Sequence, residues 1–145
     1  MHKNNHLTET SSFSKKPNQN LTREEEQWIK QIQQALSFDL LNKDMRSIVN
    51  PEDHFTRGHC YVATEAFYYL YGCKAGYVPR GRDYHWWLEH KETGHIVDPT
   101  EPQLSGPFDY SKVKSKRFLP QSPKNATKEL MRRVLAFRAR PNASW

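Results

Sequence analysis

Three side chains have the types and settings that nucleophilic catalysis requires: Cys60, His85 and Asp98. A thiol attacks a carbonyl carbon as its thiolate, and the first turn of a helix favours that form through unpaired N–H groups and the helix dipole. Cys60 follows Gly58-His59 and opens a stretch with helical apolar spacing. The small Gly58 lets the backbone approach a ligand, and the Cys60 N–H can itself donate to an oxyanion. His85 is the base that takes the thiol proton and returns it to a leaving group, provided a third residue fixes its tautomer. Asp98 is the candidate for that third residue. Considered singly, Cys60 equally suits a small buried apolar position and Asp98 a turn, so the case rests on their meeting.

Four further residues are candidates for oxyanion donors or for supports of these three: His54, His59, Gln103 and Glu65. Trp87 shares strand parity with His85 and is expected to line the cleft or join the core, while Trp86 faces the other way. His90 and His95 read as solvated turn residues.

The elements that position these groups follow from periodicity. Thr22 and Glu25 form a capping box ahead of an apolar face of Trp28, Ile29, Ile32, Ala35 and Leu36. A shorter helical segment over 38–48 and a loop at 50–53 come next. Ala63, Ala66, Phe67 and Leu70 then recur at i, i+3, i+4 and i+7, predicting a central buried helix from Cys60 that is capped at Gly72. Residues 73–84 read as a polar connection. His85 to Glu89 and Ile96 to Pro99 read as two strands joined by a turn in which Gly94 takes a positive φ. A hairpin centred there pairs positions whose numbers sum to about 183 to 185, which puts His85 opposite Asp98 or one position away. A Pro/Gly-rich loop over 101–110 and a short strand at Phe118-Leu119 precede a last helix. That helix is expected to start at Ser122-Pro123 and to bury Leu130, Met131, Val134, Leu135 and Phe137.

The resulting expectation is one α+β domain over 21–140, with the cysteine-bearing helix packed on a small antiparallel sheet and flanked by N- and C-terminal helices. A disordered arm over 1–20 precedes it and a tail over 141–145 follows, the arm because Asn, Ser, Thr and Lys dominate its composition. The 36% apolar content suits a single core. No run approaches the roughly 18 apolar residues of a membrane span. No apolar export signal opens the chain, so a cytoplasmic location is expected. Two cysteines, Cys60 and Cys73, exclude a disulfide framework and a four-cysteine zinc site. On one helix they start about 20 Å apart, beyond the reach of a bridge. The net charge of +6 is uneven: residues 21–110 carry nine Lys/Arg against fourteen Asp/Glu, whereas 111–145 carry ten against one. That basic end reads first as a solvated face complementing an acidic body, and second as a nucleic-acid contact.

The stretches Gly58-His59-Cys60, His85-Trp86-Trp87-Leu88 and Gly94-His95-Ile96-Val97-Asp98-Pro99-Thr100, with Gln103 after them, resemble the papain-like cysteine hydrolase superfamily. Within it they are most similar to the small YunG-like and uncharacterised phage-encoded members. Phe108-Asp109-Tyr110-Ser111-Lys112 and the basic terminal helix add to the likeness, which covers roughly residues 55 to 137. The resemblance implies a papain-like fold with Cys60 as nucleophile, His85 as base and Asp98 as the orienting residue. Where papain has an oxyanion glutamine six residues ahead of its cysteine, this chain has His54.

The expected activity is that of a thiol-dependent hydrolase or acyl transferase acting on an amide, ester or thioester, needing no cofactor, in a phage accessory protein. The substrate is a protein, a peptide or a small molecule. One alternative is a non-catalytic phage protein whose cleft captures a host protein or small molecule in an anti-defence role. Another has Cys60, His85 and Asp98 holding zinc.

Overall fold

A computed structural model describes residues 16–40, 59–101, 108–118 and 122–140. The described chain is α+β. Helix α1 (Arg23–Ala35) begins at the Thr22 capping box, in which Thr22 Oγ1 accepts from the Glu25 N–H and Glu25 Oε1 from the Thr22 N–H. A 3-10 turn covers Phe38–Leu40. Helix α2 (Cys60–Phe67) passes into a π-helical segment, Tyr68–Gly72, and then a short α3 (Cys73–Ala75). Strands β1 (Tyr77–Arg82), β2 (His85–His90) and β3 (Ile96–Val97) form an antiparallel sheet in that order, and α4 (Asn125–Arg138) follows.

One face of the sheet packs on the helices. Tyr77, Leu88 and Val97 meet Trp28, Ile29, Ile32 and Leu36 of α1, Ala63, Ala66 and Phe67 of α2, and Leu130 and Val134 of α4. The other face carries His85, Trp87, Ile96 and Asp98 toward a second small cluster that includes Phe108, Tyr110 and Val113. Each edge of the sheet is bridged at one position by a neighbouring segment. Gly81 exchanges backbone hydrogen bonds with Lys114 and Ser115 beyond β1, and Pro17 bridges Ile96 beyond β3.

The helical stripes fall where periodicity puts them, except that Leu70, Met131 and Phe137 are only partly buried and Leu135 is 49% exposed. Gly72 does not end the helix. A Cβ there would lie 3.3 Å from Leu88 Cδ1 and from Phe67 Cδ1, so glycine serves close packing, and the left-handed cap is Gly76 at φ +94°. Residues 77–82 are a strand, not a loop. Proline and glycine at 79 and 81 mask its pattern, and its two-residue turn, Asp83-Tyr84, has positive φ at both positions (52° and 66°) without the glycine that usually marks such a turn. At Gly81 the Trp86 indole lies where a side chain would be, 3.0 Å from an ideal Cβ. Helix α4 starts at Asn125, later than Ser122-Pro123 suggests. Within the arm over 1–20, residues 16–20 are described, and Pro17 and Asn18 pair with Ile96 of β3. Phe118 is buried outside any strand. Leu119, residues 41–58, 102–107 and 141–145, and with them the expected 41–48 helix, the 50–53 loop, His54, Gln103 and the tail, lie outside the described residues.

Candidate active site

Cys60 is the first residue of α2, so its N–H has no acceptor inside the helix. Two side chains one turn apart lash this helix to the sheet: Cys60 Sγ donates to the Tyr84 carbonyl at 3.1 Å and Thr64 Oγ1 to the Trp86 carbonyl at 3.2 Å. The thiol is thereby fixed at the start of β2, where His85 lies within its hydrogen-bonding reach.

The β2–β3 register pairs Leu88 with Val97 and Glu89 with Ile96, the upper end of the expected range. Continued by one pair, it sets Asp98 across from Trp87, two positions from the point opposite His85 rather than opposite it or one away, and so diagonal to His85 on the same face, a separation that these side chains span. His85 Nε2 donates to Asp98 Oδ2 at 2.6 Å, which leaves Nδ1 as the nitrogen for the sulfur side. The hydroxyl of Tyr110 donates to the same Oδ2 at 2.8 Å, and the Thr100 N–H to Oδ1 at 3.1 Å. Asp98 is fully buried, so these donors replace the water a carboxylate would otherwise require. Sequence reading missed Tyr110. Its one signal was the Phe-Asp-Tyr stretch, which carries no spacing relation to Asp98.

The electrostatics follow from these contacts. Burial by itself would depress the His85 imidazole, but the hydrogen bond to Asp98, the contact with Cys60 and the charges of both raise it to about 9. The protonated ring is thereby favoured. Burial, together with the Asp98 charge, pushes the Tyr110 hydroxyl far above the ordinary tyrosine range, so it stays a donor.

Trp87 belongs to the wall behind the histidine rather than to an open cleft. It is fully buried, stacks on the His85 ring at 6.1 Å between centroids and meets Phe108 and Tyr110 edge-on. His59 is buried and its Nε2 lies 2.8 Å from the Ser37 carbonyl, tying the start of α2 to the end of α1.

Glu65 faces away from this site, contrary to its expected role. Its Oε1 accepts from the Lys124 N–H at 3.1 Å and from Thr127 Oγ1 at 2.7 Å, capping α4 from another helix. The positive end of the α4 dipole accommodates the buried charge.

Several C-terminal cations are engaged within the fold. Arg133 pairs with Asp39 and Glu129, Arg132 with Glu129, and Arg138 lies 3.3 Å from the Trp28 ring centroid. Lys112, Lys114, Lys116 and Arg117 are exposed. Among the described residues, no group of three His, Cys, Asp or Glu is arranged to hold a metal ion, and no helix is long and apolar enough to cross a membrane.

No family model, curated protein or solved structure matches the chain.

Proposed function

We propose that this protein is a thiol-dependent hydrolase or acyl transferase on a papain-like scaffold, acting on an amide, ester or thioester. The observation that carries the reading is a single imidazole held between the Asp98 carboxylate and a cysteine at a helix N-terminus. At rest the thiol donates to the Tyr84 carbonyl while His85 carries its proton against Asp98. Loss of the thiol proton to solvent leaves a thiolate beside an imidazolium, a pairing that favours the nucleophile. The sulfur attacks the carbonyl carbon, and the Cys60 N–H at the open end of α2 can donate to the resulting oxyanion. His85 then protonates the leaving group as the C–X bond breaks. Now neutral, it takes a proton from water or an amine, which attacks the acyl-enzyme and frees the sulfur. Asp98, fixed by Tyr110 and Thr100, keeps the ring in one orientation throughout.

A second reading, binding without turnover, draws on the burial of both Cys60 and His85 and on the thiol's bond to a backbone carbonyl. An activity-based thiol probe at neutral pH separates the two. A catalytic site reacts at Cys60 ahead of the exposed Cys73, and the reaction is lost in His85→Ala. A silent binder leaves Cys60 unlabelled. Metal analysis of the purified protein addresses the zinc-holding variant of the same site, for which stoichiometric zinc that disappears in Cys60→Ala is the requirement.

A further inference from the structure

Strand β3 ends at Val97, one residue before Asp98, so sheet pairing does not hold the peptide that presents the carboxylate. The segment just ahead of α1 takes over that task. Pro17 bridges Ile96 in parallel fashion, and the Asn18 N–H donates to the Ile96 carbonyl at 2.8 Å. The Asn18 side chain then grips the next residue twice. Its Oδ1 accepts from the Asp98 N–H at 2.9 Å and its Nδ2 donates to the Asp98 carbonyl at 2.9 Å. A primary amide is the side-chain group that offers a peptide both a donor and an acceptor, so Asn18 substitutes for a strand neighbour at this one position. Its backbone sits at φ +60°, a left-handed conformation that asparagine tolerates better than most residues. On the far side of the same turn, Gln33 of α1 donates to the Pro99 carbonyl at 2.8 Å.

We propose that Asn18 is a positioning residue of the catalytic site, holding the Asp98 peptide so that the Asp98 carboxylate meets His85. The role rests on the catalytic reading above, and it gives the N-terminal segment a task in chemistry although its nearest reacting group is two residues removed. Asn18 acts through Asp98 and touches neither the sulfur nor the imidazole in any contact described. A loosened Asp98 peptide lets the carboxylate drift from Nε2, and displacements of this kind about 1 Å in size cost on the order of a hundredfold in well-aligned sites.

The test is Asn18→Gly in the full chain. Glycine keeps the positive φ without strain and removes both side-chain hydrogen bonds. Two readouts are followed: the NMR titration midpoint of the His85 ring, and the pH profile of Cys60 labelling by iodoacetamide. The His85 midpoint is expected to fall by about one unit or more, with Cys60 labelling slowed about tenfold or more. Asn18→Gln, which moves the amide outward by one methylene, is expected to shift both in the same direction and serves if the glycine variant does not fold. An unchanged His85 midpoint in a folded variant, with only the melting temperature lowered, overturns the proposal and leaves Asn18 a structural residue. A wild-type Cys60 that resists labelling counts against the catalytic reading alone, because the His85 midpoint requires no turnover.

Discussion

Replacing Asp98 by asparagine should change how stability depends on pH, in a direction fixed by the His85 shift. In the wild type the folded imidazole titrates at about 9 against 6.5 when unperturbed. Its pairing therefore stabilises the fold fully below about pH 6.5 and is lost as pH rises through about 9. At 1.36 kcal/mol per unit, this gap is worth on the order of 3 kcal/mol across that window. An asparagine keeps the shape and can still accept a hydrogen bond, but it supplies no negative charge. Burial, which disfavours the cation, is then opposed only by the Cys60 contact, so the wild-type decline between pH 6.5 and 9 should flatten. Equilibrium unfolding in urea, followed by tryptophan fluorescence from pH 6 to 10, measures the effect directly. With a typical urea dependence, the wild-type midpoint should drop by about 2 M more than the variant midpoint over that range. Parallel curves for the two proteins would mean that Asp98 does not hold a charged His85.

Tyr84→Gly should raise the melting temperature by about 2–5 °C, since it removes a bulky residue from φ +66° in the turn after β1 and Tyr84 is 97% exposed; a lower value in calorimetry would show that the Tyr84 side chain stabilises the turn. Glu65→Ala should cost about 2–4 kcal/mol in chemical denaturation, because the Lys124 N–H and the Thr127 hydroxyl lose their buried acceptor. The folded fraction of that variant should still label at Cys60 at the wild-type rate, and slowed labelling would return Glu65 to the site.

The parts of this structure that were legible in the sequence are those in which a periodic pattern and its surroundings agree. The α1 capping box and the apolar faces of α1 and α2 fall in place because local chemistry and core packing ask for the same residues. The turn with Gly94 at φ +79° fixed the hairpin closely enough to put His85 and Asp98 on one face. Their actual contact is diagonal, a detail set by register that turn chemistry does not determine. Strand β1 was hidden by residues whose roles are tertiary: Gly81 is shaped by the Trp86 indole across it, and the Asp83-Tyr84 turn lacks the expected glycine. Gly72 resembled a cap because helix endings and close packing both select glycine, and only Leu88 and Phe67 distinguish them. Glu65, Tyr110 and Asn18 were misread or missed for one shared reason. Each acts on a residue 12 to 80 positions away, and nothing local in the sequence announces such a partner.

The most direct measurement of the proposed unit is intact-mass spectrometry during reaction with an activated ester or thioester. One acyl group should accumulate on wild-type Cys60, mapped by peptide digestion, and then disappear as the acyl-enzyme turns over. The same adduct should be absent in Cys60→Ala and strongly reduced in His85→Ala. Acylation confined to Cys73, or acylation of Cys60 at the same rate in His85→Ala, would show that Cys60, His85 and Asp98 do not work as one nucleophilic site.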